Sequence, residues 1–210
     1  MAFDKTRFGG VVAPIVNPCG EDDSLDRGAL EANLTRLLAT DVAGLYINGG
    51  TGDAANLTQD ERLETAALLV PRLLAAGKLA IVHVGQTNQR QAVELARQAA
   101  ALGAHAVASI PPKKPWPQIV EYYKALATAG APVIVYYIPG VTGMTAGMPE
   151  LRMLLDIPGV AGIKMSDWNI FLLRSVVLEY PEKVVYSGFD EMLVPGLLYG
   201  ADGCIGTWAN

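Results

Sequence analysis

Short apolar runs alternate with longer amphipathic segments along the whole chain. The runs at 10–16, 44–48, 79–85, 106–110, 133–138, 160–166, 183–188 and 203–208 are bounded by Gly or Pro and predict eight strands. Between them, segments 25–39, 59–76, 89–102, 117–129, 149–156, 169–179 and 191–199 space their apolar residues three and four apart, which predicts helices. Thr58 followed by Glu61 has the form of a capping box, and Asn88 opens the next helix. Gly77, Gly103, Gly130 and Gly200 stand where helices should stop, at positions that favour a left-handed residue. Strict β–α alternation at this spacing calls for a parallel sheet covered by helices. Eight units favour a closed (β/α)₈ TIM barrel in a single domain, 1–210, over an open doubly wound sheet. The chain ends at Asn210, directly after the eighth run and without an eighth helix. A buried strand needs a cover on its outer face, so the expectation is a C-terminal truncation; a second chain covering that strand is the alternative.

Composition narrows the setting. Half of the 210 residues are hydrophobic and 18% are charged, enough apolar material for a large core. A formal net charge of −5 disfavours nucleic acid and acidic membrane surfaces as partners. The chain shows no apolar stretch of the ~20 residues that span a bilayer, and its first ten residues lack the apolar run of a signal peptide. Cys19 and Cys204 form no disulfide spacing, which fits a reducing compartment. These features together predict a soluble cytoplasmic protein.

In a barrel of this kind, function sits at the C-terminal ends of the strands and in the loops that follow them. Lys164 is the most unusual residue there. Side chains alternate along a strand, so apolar Ala161, Ile163 and Met165 belong outside against helices, turning Gly162, Lys164 and Ser166 into the barrel. Burial favours a neutral amine, the form that attacks a ketone, and Gly162 is expected to leave room for it. The pattern alone leaves a second reading open, a lysine paired to a carboxylate or reaching out to the barrel mouth. On the preceding strand, only one of Tyr136 and Tyr137 can face inward; a phenol there could pass protons, or simply fill space. Gly49-Gly50-Thr51-Gly52 offers backbone N–H groups and a hydroxyl that suit a carboxylate, although such a run also makes a plain turn. It matches neither nucleotide-binding glycine pattern. Asp190 and Glu191 are expected to open the seventh helix, with Asp190 as its N-cap, or to meet sugar hydroxyls at the mouth. The two histidines, His83 and His105, are far apart and read as structural, so no metal site is expected.

The segments Gly49-Gly50-Thr51-Gly52-Asp53, Tyr136-Tyr137-Ile138-Pro139-Gly140-Val141-Thr142-Gly143 and Gly162-Ile163-Lys164 occur in the order and spacing of one family. In them the chain resembles the dihydrodipicolinate synthase and N-acetylneuraminate lyase superfamily along nearly its whole length. The resemblance implies a pyruvate-dependent class I aldolase or lyase. In such an enzyme Lys164 forms a Schiff base with a 2-oxo acid, Tyr136 shuttles a proton, and Gly50 and Thr51 hold the pyruvate carboxylate. It implies no cofactor beyond that covalent imine, and a homotetramer with further helices after the barrel. Residues 187–191 and 200–203 are similar to the lyase branch, where Gly188, Asp190 and Glu191 meet the hydroxylated tail of a sugar acid. Ser166, Gly206 and Thr207 stand in the same substrate-binding region. The synthases carry an arginine where this chain has Val141, a loss no apolar side chain replaces. Two positions depart from the family: Gly50 replaces a hydroxyl residue that relays a proton from the tyrosine, and Pro112-Lys113-Lys114 replaces an aromatic pair. The reaction implied is cleavage or condensation of a 4-hydroxy-2-oxo sugar acid. Dihydrodipicolinate synthesis, dehydration of a keto-deoxy sugar acid, and non-catalytic binding of an oxo acid are the alternatives.

Overall fold

The computed structural model describes residues 3–210; Met1 and Ala2, the start of the polar N-terminal stretch, lie outside the described residues. Eight parallel strands close into a barrel in sequence order, β8 pairing with β1. They are β1 (Gly10–Pro14), β2 (Gly44–Ile47), β3 (Leu79–His83), β4 (Ala106–Ser109), β5 (Val133–Tyr137), β6 (Val160–Met165), β7 (Val184–Ser187) and β8 (Gly203–Cys204). Each predicted run contains its strand, but the strands stop short of the predicted C-terminal ends. Beyond those ends the backbone still bonds to the neighbouring strand at single positions, Ile15, Val84, Ser166, Gly188 and Ile205 each donating an N–H across. β8 is the extreme case, two residues long, because the chain turns into a 3₁₀ segment at Thr207–Ala209.

The helices are α1 (Arg27–Leu38), α2 (Gln59–Ala75), α3 (Gln89–Ala101), α4 (Trp116–Ala127), α5 (Pro139–Thr142), α6 (Met148–Leu155), α7 (Ile170–Glu179) and α8 (Leu193–Leu198). All but α5 match predicted segments within a few residues. α5 is a single turn in the loop after β5 that periodicity could not reveal, and it stops at Gly143 in the left-handed region. The capping box at the start of α2 is present: Thr58 accepts from the Glu61 N–H, and the Glu61 carboxylate accepts from the Thr58 N–H. Asn88 caps α3 through the Arg90 N–H. Asp190 is not the N-cap of the last helix. It begins a 3₁₀ turn, Asp190–Met192, and α8 starts at Leu193 with no side-chain cap.

Alternation along the strands divides the core in two. Leu45, Ile47, Val82, Val107, Val135, Tyr137, Ile163, Met165 and Val185 point outward and pack under the helices. Val12, Tyr46, Ile81, Ala108, Ile134, Tyr136, Val184, Tyr186 and Ile205 point inward and fill the barrel. The inner layer therefore carries three tyrosines, and the β5–β6–β7 register places Tyr136, Lys164 and Tyr186 side by side. The expected reason for Gly162 is corrected by the packing. A Cβ there would lie 2.2 Å from the Val184 carbonyl oxygen, so the glycine admits strand β7, not the lysine side chain. No helix is long and apolar enough to cross a membrane among the described residues. Both cysteines are free, Cys19 exposed and Cys204 buried in β8.

Candidate active site

Lys164 sits on the inward face of β6 and is 5% exposed. Its Nζ lies 4.1 Å from the centre of the Tyr136 ring and 4.9 Å from that of Tyr46. Among the described residues no carboxylate forms an ion pair with it, so the paired-lysine reading does not hold. Tyr136 faces the barrel and Tyr137 faces the helices, where its hydroxyl accepts from the Ala146 N–H. The Ser166 hydroxyl donates to the Tyr136 hydroxyl at 3.3 Å. Lys164, Tyr136 and Ser166 are thus a contiguous polar group on an otherwise apolar barrel wall.

Two glycines are required by this cluster. A Cβ at Gly188 would stand 2.1 Å from Ser166 Oγ and 3.1 Å from Lys164 Cε, so any side chain there would displace both. A Cβ at Gly206 would collide with the Asp190 carboxylate, which lies against the Gly206 backbone. Gly188 is the residue that makes room for the lysine, the part expected of Gly162.

These side chains line a cavity of about 380 Å³ at the C-terminal mouth. Gly50, Thr51, Tyr136, Lys164, Ser166, Gly188, Asp190, Glu191 and Thr207 all border it, and Gly206 adjoins it through Asp190. Thr51 Oγ1 and Thr207 Oγ1 are hydrogen-bonded at 2.9 Å, joining the loop after β2 to the segment after β8. Asn48 enters the β2 loop with a positive φ of 58°, a conformation asparagine tolerates better than most residues. Phe189 stacks on Trp168, 4.9 Å between ring centres, and holds the turn that presents Asp190 and Glu191.

A second cavity of about 480 Å³ adjoins the first at Gly50 and is bordered by Asn48, Arg62, His83, Gln86, Thr87 and Val141. Here the sequence reading missed residues that face the site. His83 ends β3, its ring set edge-on to Tyr136 with 6.4 Å between centres. Its Nε2 accepts from the Ile110 N–H, leaving Nδ1 as the protonated nitrogen, and Nδ1 has no partner among the described residues. Burial, and then the charges of Arg62 and Lys164, push its pKa down to about 3, so the ring is neutral. Arg62 on α2 is 3% exposed and donates to the carbonyls of His83 and Gly85, tying the helix to the end of β3. Tyr46, also unanticipated, is inward and 1% exposed. The signal that could have found Tyr46 and His83 is the alternation already used for Lys164, continued through β2 and β3. His105 lies before β4 at the opposite end of the barrel, accepting from the Ala80 N–H. Lys113 and Lys114 are exposed on the loop after β4.

A closed (β/α)₈ barrel with a buried lysine beside a tyrosine, under a polar mouth, defines a class of barrel enzyme that works through an amine. The model of the Dihydrodipicolinate synthetase family matches residues 7–210. The chain belongs to that family, a family of class I lyases. An N-acetylneuraminate lyase of Rhizobium meliloti (strain 1021) is 35% identical over 207 residues, spanning 96% of this chain and 68% of that protein. The structure of CdNal from Clostridium difficile in complex with mannosamine superposes with a TM-score of 0.92 at 26% identity, covering 96% of this chain and 71% of that one. The N-acetylneuraminate lyase from Fusobacterium nucleatum complexed with pyruvate does so with a TM-score of 0.91 at 26% identity, covering 97% and 70%.

Proposed function

We propose that the protein is an N-acetylneuraminate-lyase-like enzyme that cleaves a 4-hydroxy-2-oxo sugar acid to pyruvate and an aldehyde, or condenses the two. The observation that carries this reading is a buried Lys164 with no carboxylate partner, within reach of Tyr136 and Ser166.

The chemistry follows from that placement. Lys164 Nζ adds to the C2 carbonyl carbon, one amine proton passing to the carbonyl oxygen. The resulting hydroxyl takes the Tyr136 phenol proton and departs as water, leaving a protonated imine and the Tyr136 phenolate. The imine draws electrons from the C3–C4 bond. As that bond breaks, the proton of the C4 hydroxyl passes to the Tyr136 oxygen, and the C4 fragment leaves as an aldehyde. The enamine takes the proton at C3 from the Tyr136 phenol. Water then adds to the renewed imine, releasing pyruvate and the free amine and returning a proton to Tyr136. Ser166 donates to the Tyr136 oxygen, which prepares that oxygen to hold negative charge. The backbone of Gly50 and Thr51 receives the carboxylate, and Asp190 and Glu191 face the hydroxylated tail. No cofactor takes part, since the imine is the electron sink.

Val141 argues against dihydrodipicolinate synthesis, because its apolar side chain stands on α5 at the neighbouring cavity and supplies no charge for a second carboxylate. A homotetramer is proposed on the family resemblance, and the exposed Phe171 and Leu178 on α7 and Val194, Leu197 and Leu198 on α8 offer apolar surface that an assembly could bury. We assign the protein to the cytoplasm on its composition and its free thiols. The test is pyruvate release from a panel of 4-hydroxy-2-oxo acids, N-acetylneuraminate included. Release from at least one, lost in Lys164→Ala, is expected; no release from any, by a folded sample, contradicts the proposal.

A further inference from the structure

Tyr46 has no part in the chemistry above, yet it occupies a central place. It lies on β2, across the barrel interior from β6, and is 1% exposed. Its hydroxyl is buried and makes no hydrogen bond among the described residues. The polar end of the side chain therefore does not explain its position, and its ring is what the neighbours meet. One neighbour is Lys164, whose Nζ lies 4.9 Å from the ring centre. Another is Gly49: a Cβ there would approach Tyr46 Cδ1 and Cε1 to 2.7 Å, so the ring presses directly on the backbone that leads into Gly50 and Thr51. A third is Tyr136, set edge-on with ring planes at 90°.

The reacting nitrogen carries positive charge as ammonium and again as protonated imine, and loses it in the enamine. Among the described residues no carboxylate pairs with that charge. The faces of Tyr46 and Tyr136, which carry the negative side of the ring quadrupole, both lie within cation–π range of it. Burial holds the Tyr46 phenol well above its usual pKa, so the ring acts as a neutral π face and not as a phenolate.

We propose that the Tyr46 ring is an electrostatic partner of the reacting nitrogen, stabilising the protonated imine through its π face while buttressing the carboxylate loop at Gly49. This rests on the reading of Lys164 as the Schiff-base lysine. Such a role takes the place of a counter-ion, and it suits a centre whose charge comes and goes. A carboxylate at that distance would hold the ammonium and oppose its conversion to the attacking amine; a ring face interacts more weakly and without a proton of its own.

The test varies the ring's electrons at constant shape. Tyr46→Phe, Tyr46→Leu, and replacement of Tyr46 by mono-, di- and trifluorophenylalanine are compared with the unmodified protein by trapping with pyruvate and borohydride, with thermal melting as a check on folding. The expected result is near-normal trapping for Tyr46→Phe and a stepwise fall with each fluorine. Apparent pyruvate affinity should drop about tenfold in Tyr46→Leu and in the trifluoro variant, within the range of a desolvated cation–π contact. A flat fluorine series with normal trapping of the unmodified protein overturns the proposal and leaves Tyr46 as a filler of space. Absence of an adduct in the unmodified protein overturns the Schiff-base reading itself, and this inference with it.

Discussion

The β5–β6 wall and the β2–β3 wall of the barrel face each other across its interior and are built on different principles. On β5 and β6 the functional residues are polar groups joined to one another: Tyr136, Lys164 and Ser166, with a hydroxyl–hydroxyl bond between strands. On β2 and β3 the residues that face them are aromatic, Tyr46 and His83, and among the described residues the Tyr46 hydroxyl and His83 Nδ1 have no hydrogen-bond partner. In the proposed mechanism one wall carries the proton and the nucleophile; the other offers π faces and a neutral imidazole held in place by Ile110 and the buried Arg62. The difference teaches that a catalytic centre can set its charges on one side and the environment for those charges on the other. Only the first kind stands out in an apolar strand.

Four perturbations probe that division. The largest effect is expected at Lys164. Lys164→Ala should abolish turnover without unfolding the protein, because it removes the nucleophile and also relieves a buried amine; steady-state assays and circular dichroism check both parts. Next is Tyr136→Phe, which keeps the ring beside Nζ but removes the proton carrier. It should lower kcat roughly 10² to 10⁴-fold while pyruvate trapping persists, as rapid-quench trapping beside turnover would show.

On the opposite wall the expected effects are smaller and fall on stability. His83 stays neutral in the folded protein down to about 3, whereas a free histidine takes up a proton near 6.5. Between those values the unfolded chain binds more protons than the folded one, so stability rises with pH there. That contribution is complete above 6.5 and is lost as the pH falls toward 3. His83→Leu should therefore flatten the pH dependence of urea unfolding between pH 6.5 and 4.5. The same change should destabilise the protein by about 1–3 kcal/mol at neutral pH, since the Ile110 N–H loses its acceptor. The smallest effect is expected for Gly50→Ser. A Cβ at Gly50 meets nothing within 4 Å, so the hydroxyl found in the family can be restored with a stability change within about 0.5 kcal/mol. Kinetics of this variant would show whether Ser166 already supplies the relay; an unchanged kcat is the expected result.

The barrel was legible because its pattern is redundant. Every strand repeats the same apolar run, and caps such as Thr58 and turn glycines such as Gly77 mark the boundaries independently. The polar wall was legible for the opposite reason, since Lys164 interrupts the pattern on the inward phase of β6. What escaped has physical causes. α5 is too short to show a period. Asp190 begins a 3₁₀ turn that composition cannot tell from a helix start. Gly162 and Gly188 look alike in sequence, and only the approach of Val184 to the first and of Ser166 to the second separates their tasks. His83 reads as structural and Tyr46 gives no signal of its own, because both are buried residues of apolar strands; what sets them apart is what stands opposite them.

The most direct test of the central claim is peptide mapping by mass spectrometry of the protein reduced with borohydride in the presence of pyruvate. The account predicts a single stable pyruvyl adduct on Lys164, absent without pyruvate. An adduct on another lysine, or none on a folded sample, would contradict it.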